Sequence, residues 1–166
     1  MKRIILLLLT ITSFSVSSLL YADENGHGHS DSSTPEVQGM ISIKSANSVK
    51  VTLDKLETVL KKKGITIVTR WSHDAGAKKV GIKLRPTELL IFGNPKLGSH
   101  FFTSQQTAGI DLPLKALAWQ DSKGQVWLSY NDPAYIAGRH KINDRAEIVA
   151  KMTGALKKLT AVAVSQ

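Results

Sequence analysis

"LKALAWQDSKGQVWLSYN", residues 114–131, decides how this chain folds. Both halves of the stretch are rich in apolar and aromatic residues, and the polar segment between them ends at Gly124. A three-residue loop whose last residue is a left-handed glycine is a common way to close a hairpin. The stretch therefore predicts two antiparallel strands, and this closure sets Trp119 opposite Trp127.

The two faces of this hairpin differ in character. One carries small and aliphatic side chains that suit packing beneath helices, whereas the other carries both indoles, and an apolar surface of that kind often marks an interface. We therefore predict that the indole face looks away from the helices and forms a symmetric homodimer through Trp119 and Trp127. A register shifted by one residue would instead send both indoles into the core. The helix-side set is Ala116, Ala118, Val126, Leu128 and Tyr130, and the opposite set is Leu117, Trp119, Trp127 and Ser129.

The segments around the hairpin show strand and helix patterns in turn. A short strand at 37–43 precedes a helix whose apolar face ends in three lysines and Gly64, a left-handed stop. The β-branched run at 65–71 and the apolar run at 89–92 predict the second and third strands. A last helix with apolar residues at helical spacing begins after Asp144, which we expect to be its cap.

Short helical insertions are predicted between the strands. Asn94 and Asp132 each precede a proline, which fits a helix N-cap followed by proline at the first helical position. Asp74 is expected to cap a further short helix that runs through Val80. No P-loop or G-x-G-x-x-G motif accompanies the turn at Asn94, so a dedicated nucleotide loop is not expected. A helix N-terminus at a strand end can still line a cleft and attract an anion.

These elements together indicate the fold class. The order is β-α-β4-α with short insertions, and the hairpin replaces the regular alternation of strand and helix that a doubly wound fold requires. The sequence therefore predicts a single α+β domain at 37–166, with a mostly antiparallel sheet and two long helices on one face.

The start of the chain indicates export. Residues 1–22 have a basic start, an apolar stretch and a final alanine, the pattern of a secretory signal peptide, with an uncleaved anchor helix as the alternative. Residues 23–36 carry four acidic residues and almost no apolar ones, which predicts a disordered leader. We expect a periplasmic or secreted protein that meets the membrane only during export.

Charge and composition narrow the classes of partner. The 166-residue chain has a formal net charge of +9, and its leader is acidic, so the domain is more basic than the whole. This favours anionic partners, such as lipid head groups or an acidic small molecule, and an exported protein seldom meets nucleic acid. The chain has no cysteine, which excludes disulfides and thiolate sites, and we expect no cofactor.

Two histidines in the leader form a candidate metal site. His27 and His29 flank one glycine on a flexible tether and can bind Cu(II) or Zn(II) weakly. Two ligands do not fill a tetrahedral site, so an inert polar tail is the alternative.

Three blocks of the chain resemble a known family. "LRPTELLIFGNPKLG", "AGIDLPLKALAWQD" and "GQVWLSYNDPAYIAGRH" are similar to signature blocks of the domain of unknown function 302 family, and the similarity runs from about Thr52 to Leu159. The resemblance implies a TATA-binding-protein-like arrangement, with helices on one face of an antiparallel sheet, and no established activity. Ser72 stands where relatives often have aspartate before His73, and the bulky segment 99–102 replaces a Thr-Pro-Leu-Met run.

The function that we expect is ligand binding in a cleft between the sheet and the helices, for a small apolar or anionic molecule. One alternative is a small hydrolase or isomerase with His73 or His140 as base and Asp111 as its partner. Another is a metal binder that uses the leader. Solvent exposure of each histidine and backbone capping by Asp111 are the structural alternatives. The predicted apolar wall is Phe101, Phe102 and Tyr135, and the predicted polar contacts are His73, Asn94, His100, Asp111, Arg139 and His140.

Overall fold

The computed structural model describes residues 37–166. The signal peptide predicted at 1–22, the leader predicted at 23–36 and its His27 and His29 lie outside the described residues. Within the described part of the chain, no helix is long and apolar enough to cross a membrane.

The described residues form a five-stranded sheet in the order β1-β5-β4-β3-β2, and every neighbouring pair of strands is antiparallel. The predicted α+β class and the β-α-β4-α order are therefore confirmed. The elements are β1 (Met40–Ser45), α1 (Val49–Lys62), β2 (Thr66–Ser72), α2 (His73–Lys79), β3 (Thr87–Gly93), α3 (Pro95–Ser104), a 3-10 helix (Gln106–Ile110), β4 (Leu114–Gln120), β5 (Val126–Asn131), α4 (Pro133–Arg139) and α5 (Ala146–Val164).

The predicted hairpin and its register are confirmed. Trp119 pairs with Trp127, and the backbone N–H of Asp121 donates to the carbonyl of Gln125 at 2.9 Å. Gly124 closes the loop with a φ of +84°, the left-handed conformation that the sequence required. A register slipped by one residue is therefore excluded.

The main core lies between the sheet and the two long helices. The small and aliphatic face of the hairpin is buried against α1 and α5, as predicted, so the indoles lie on the other side of the sheet. Burial of these apolar side chains contributes roughly 25 cal/mol per Å² of apolar area. The buried residues of this first core are Val49, Leu53, Leu56, Leu60, Leu90, Phe92, Ala116, Ala118, Val126, Leu128, Tyr130, Leu156, Leu159 and Ala163.

The indole pair is less exposed than the sequence suggested. The Trp119 and Trp127 rings stack with centroids 6.3 Å apart, and Trp127 is only 4% exposed. The Lys44 ammonium lies 5.6 Å from the Trp127 ring centroid, and the indole N–H donates to the Asp121 carboxylate at 2.8 Å. Side chains of β1, β4 and the hairpin loop thus contact the Trp127 indole.

Three helix termini follow the predicted pattern. Asn94 and Asp132 accept from the backbone N–H groups of Lys96 and Ala134, at 3.0 and 2.9 Å. Gly64 ends α1 with a φ of +68°, and its N–H donates to the carbonyl of Lys61, as in a Schellman motif.

Two predicted caps are wrong. Ser72 caps α2 by accepting from Ala75, and Asp74 instead accepts from the Ser72 hydroxyl at 2.8 Å. Helix α5 has Arg145 at the cap position and no side-chain cap there, while Asp144 accepts from Ser104 at 2.6 Å. In both places the carboxylate accepts a hydrogen bond from a serine hydroxyl and does not cap the helix.

The first strand also begins later than predicted. Residues 37–39 form a turn in which the N–H of Met40 donates to Val37, and Gly39 has a φ of +76°. The period-two pattern of apolar residues therefore begins at Val37, in the turn that precedes β1.

Candidate functional site

A second, smaller core lies beside the first one. Helices α3 and α4, the 3-10 helix and the start of α5 enclose it, and Leu114 at the start of β4 packs against both cores. The two cores therefore meet at the end of the sheet where β4 begins. The buried residues of the second core are Phe101, Ala108, Leu112, Ile136, Ala137, Ile142 and Met152.

A cavity of about 260 Å³ opens where the two cores meet. Phe92 and Leu156 of the first core line it, and so do Leu112 and Met152 of the second. The cores are thus packed on either side of the cavity but do not fill the space between them. Among the described residues, the lining consists of Ile65, Thr66, Val68, Phe92, Gly93, Asn94, Pro95, Leu97, Gly98, Ser99, Phe102, Leu112, Pro113, Leu114, Met152, Ala155, Leu156 and Leu159.

Two glycines shape the wall on the α3 side. A Cβ added at Gly93 would lie 3.3 Å from the Cβ of Pro113, so the end of β3 packs tightly against the segment before β4. Gly98 also lines the cavity, and a Cβ there would meet only the Phe102 ring, at 3.8 Å. Because Gly98 has no side chain, the cavity is wider at this position.

The lining is almost wholly apolar. Within residues 37–166, the only polar side chains that line it are those of Thr66, Asn94 and Ser99. The side chain of Asn94 is already used as the cap of α3, because its Oδ1 accepts from Lys96. An apolar cavity of this kind favours a ligand that does not need to keep its hydration shell.

The N-terminus of α3 does not offer donors to an anion. Pro95 has no N–H, and that of Lys96 donates to the Asn94 side chain. The N–H groups of Leu97 and Gly98 both donate to the Asn94 carbonyl at 2.9 Å. All donors of the first turn are thus satisfied within the turn, which removes the physical basis for anion capture at this site.

The structure separates the residues that the sequence grouped into one cleft. Asn94 and Phe102 line the cavity, whereas Phe101 is fully buried in the second core. His73 and His100 are exposed, the first at the start of α2 and the second within α3. These two histidines and Phe101 are not part of the cavity lining.

Tyr135 is also not a wall of the cavity. Its ring lies against Gly39, where an added Cβ would come 2.1 Å from the Cγ of Tyr135. The aromatic side chain therefore fastens α4 to the turn before β1.

Three of the predicted polar residues form a cluster of their own. The Asp111 carboxylate binds His140 Nε2 at 2.7 Å and Arg139 Nη1 at 3.1 Å. His140 Nδ1 lies 3.0 Å from the hydroxyl of Thr107, a residue that the sequence did not single out. The Asp111 carboxylate thus contacts the last residue of α4 and the residue that follows it, and the predicted capping of neighbouring backbone groups is wrong.

The cavity residues from α5 were missed for a clear reason. Met152, Leu156 and Leu159 recur at helical spacing, and the same spacing describes residues that fill a core and residues that line a void. Nothing local in the sequence distinguishes these two outcomes.

Metal ligands are not gathered in the described residues. Across 37–166 there is no group of three or more His, Cys, Asp or Glu side chains that could hold a metal ion.

A family model matches most of this chain. The model described as "Domain of unknown function DUF302" matches residues 41–159, which include the cavity and the polar cluster.

The curated relatives are larger proteins. "Fluoride-specific ion channel FluC 1" of Brucella suis biovar 1 (strain 1330) is 41% identical over 127 residues, which cover 74% of this chain and 50% of that protein. "Fluoride-specific ion channel FluC 2" of Brucella melitensis biotype 1 is also 41% identical over 127 residues, with 47% of its length covered. The chain therefore spans about half the length of the curated relatives it matches.

A solved structure shares the fold. The crystal structure of an uncharacterized conserved protein DUF302 from Bacillus stearothermophilus superposes with a TM-score of 0.63. The match covers 77% of this chain and 97% of that one at 21% sequence identity. At this identity the likeness concerns the fold alone.

Proposed function

The chain belongs to the DUF302 family, and we propose that it is a binding module that takes a small apolar molecule into the cavity between α3, α5 and the sheet. The observation that carries this proposal is the lining, in which both cores contribute apolar side chains to one unfilled space. Apolar cavities of about 150 Å³ in other proteins stay dry and take up benzene or xenon.

The size and chemistry of the cavity narrow the ligand class. A volume of about 260 Å³ lies just below the range of roughly 300–1,000 Å³ that is common for small-molecule sites. We therefore propose a neutral ligand, such as a compound with one or two rings or a short acyl chain. An anionic ligand is disfavoured because the first-turn donors of α3 are occupied.

We also propose that the protein acts outside the cytoplasm. The support is the signal-peptide pattern of residues 1–22. Intact mass of the exported protein tests this, since cleavage after Ala22 leaves a chain that begins at Asp23. Retention of 1–22 in a membrane fraction would contradict it.

A neutral fluorophore tests the cavity directly. N-phenyl-1-naphthylamine becomes fluorescent in apolar surroundings, and its titration into the purified protein should saturate at one molecule per chain. Gly98→Leu places a side chain into the cavity and should weaken binding at least tenfold. Gly154→Leu is the matched control, because Gly154 also lies in a helix and nothing stands within 4 Å of its added Cβ.

The outcomes of this titration separate the alternatives. Loss of binding in Gly98→Leu with unchanged binding in Gly154→Leu supports the cavity as the site. Equal binding in all three proteins, or no saturable binding to the unaltered chain, overturns the proposal. Thermal melts of both variants show whether each still folds.

A second candidate function is a role in fluoride handling, which we propose from the curated relatives alone. Those proteins are named fluoride-specific ion channels, and this chain spans about half of them. The apolar cavity does not suit a bare anion, so we propose that the chain assists a membrane protein that moves the ion. Deletion of its gene should then lower the fluoride concentration that stops growth of the source organism, and unchanged tolerance would contradict the idea.

A further inference from the structure

We propose that Thr107, His140 and Asp111 form a nucleophile, base and positioning carboxylate that accept an acyl group from an activated ester. The hydroxyl of Thr107 lies 3.0 Å from His140 Nδ1, and His140 Nε2 lies 2.7 Å from Asp111 Oδ2. A hydroxyl within reach of a base that a third group orients is the arrangement that activates weak nucleophiles. The distance from Thr107 to His140 is within the range required for proton transfer.

The contacts of His140 set the roles of its two nitrogens. A carboxylate only accepts hydrogen bonds, so Asp111 draws the proton of neutral His140 to Nε2. Nδ1 is then left as the acceptor that faces the Thr107 hydroxyl. Arg139 binds the other oxygen of Asp111 at 3.1 Å and holds the carboxylate in place. Asp111 acts here as a positioning residue, because it reaches the hydroxyl only through the ring.

Burial within the cluster determines which atom a reactant can meet. The side chains of His140 and Asp111 are only 7% and 11% exposed, whereas Thr107 is exposed. An incoming ester therefore encounters the Thr107 oxygen, with the base and the carboxylate shielded behind it. Arg139 stands beside the cluster with a side chain that is 53% exposed, and its charge favours an ester that carries an anionic group.

The proposed step balances without a further reactant. Thr107 Oγ1 attacks the ester carbonyl carbon while His140 Nδ1 takes the hydroxyl proton. The bond from that carbon to the leaving oxygen then breaks, and the leaving oxygen receives the proton from Nδ1. The products are acyl-Thr107, the free alcohol or phenol, and neutral His140.

This site is separate from the apolar cavity. None of Thr107, Arg139, His140 and Asp111 lines the cavity. Failure of fluorophore binding would therefore leave the acyl-transfer proposal standing, and failure of acylation would leave the binding proposal standing.

p-Nitrophenyl acetate is the probe for the test. We expect the intact mass to increase by one acetyl group, and peptide mapping to place that group on Thr107. Thr107→Val should abolish this label, Thr107→Ser should retain it, and His140→Gln should slow it at least tenfold.

Another threonine supplies the control. Thr103 is exposed and its hydroxyl donates to the His100 carbonyl at 3.1 Å, with no imidazole nitrogen bound. Thr103→Val should leave the labelling rate unchanged. Acetylation of Thr107 no faster than that of Thr103, or acetylation of lysines alone, would overturn the proposal. The rate of acetylation of Thr107 relative to Thr103 in the unaltered protein decides the matter even if His140→Gln fails to fold.

Discussion

The ring of Tyr135 lies so close to Gly39 that a Cβ at Gly39 would come within 2.1 Å of the Cγ of Tyr135. Gly39 has a φ of +76°, and its carbonyl accepts from the N–H of Asp132 at 2.9 Å. The turn before β1 is thus fixed to α4 by a hydrogen bond and by an aromatic ring that occupies the place of a side chain.

Gly39→Ala should therefore be strongly destabilising. The added methyl group must displace the Tyr135 ring, at a cost of about 1–3 kcal/mol, and the left-handed backbone adds about 1–2 kcal/mol. Gly124→Ala is the control, because Gly124 has a φ of +84° but its nearest neighbour would be a side-chain atom 4.0 Å away. Chemical denaturation should show the larger loss for Gly39→Ala. Equal losses would mean that the ring moves aside without cost.

Local signals in the sequence were sufficient for most of the fold. Gly124 and the length of its loop determine the hairpin register, and the period-two pattern then assigns each side chain to a face. One of the two capping errors arose because the partner of the carboxylate is distant in sequence: Asp144 and Ser104 are 40 residues apart. Capping is a local rule, and it fails where a tertiary hydrogen bond competes.

The candidate site was harder to predict than the fold. The cavity and the polar cluster each bring together residues that are far apart in the sequence. The sequence indicated the turn at Asn94 and the bulky Phe102, and both line the cavity. It also selected Asp111 and His140, which the fold brings together across 29 residues. The sequence did not indicate Thr107, because an exposed threonine can be recognised as a candidate site residue only when the structure shows an imidazole beside it.

The two confirmed side-chain caps should each contribute measurably to stability. Asn94→Ala and Asp132→Ala should lower the free energy of unfolding by about 0.5–2 kcal/mol each, since each leaves a backbone donor of its helix without a partner. Asp144→Ala should lower it by less than either cap variant, because Asp144 does not cap α5 and its hydrogen bond with Ser104 is exposed to solvent. Urea titrations of the three variants check this order. A loss in Asp144→Ala as large as the other two would contradict it.

Asp54 should make folding sensitive to acid. Hydrogen bonds from Lys50 at 2.8 Å and Arg70 at 2.6 Å lower the pKa of the Asp54 carboxyl below its ordinary 3.8. A lowered folded-state pKa gives stability that is fully present above the unfolded pKa of about 3.9 and is lost as the pH falls below it.

Asp54→Asn removes this contribution and is the test. The unaltered protein should be more stable than the variant at neutral pH, and the difference should shrink as the pH falls below about 4. Free energies of unfolding measured by urea titration from neutral pH to pH 3 give the comparison. A difference that stays constant with pH would show that Asp54 acts through something other than its charge.

The homodimer stays a prediction, but we now expect its interface to be centred on residues other than Trp119 and Trp127. Trp127 is 4% exposed, so it has little surface left to bury. Trp71 is 60% exposed on the edge strand β2, where it pairs with Leu89, which in turn pairs with Leu117. Directly paired residues lie on one face of a sheet, and α1 and α5 pack on the other face.

A row formed by Trp71, Leu89 and Leu117 can meet its own copy across a two-fold axis, since such an interface uses the same patch twice. Light scattering should then give twice the chain mass for the unaltered protein and the single mass for Trp71→Glu, whose exposed position leaves folding intact. Val80→Glu is the matched control, because Val80 is 72% exposed but lies at the end of α2, and it should stay dimeric. A monomeric unaltered protein contradicts the prediction, and a dimer that survives Trp71→Glu places the interface elsewhere.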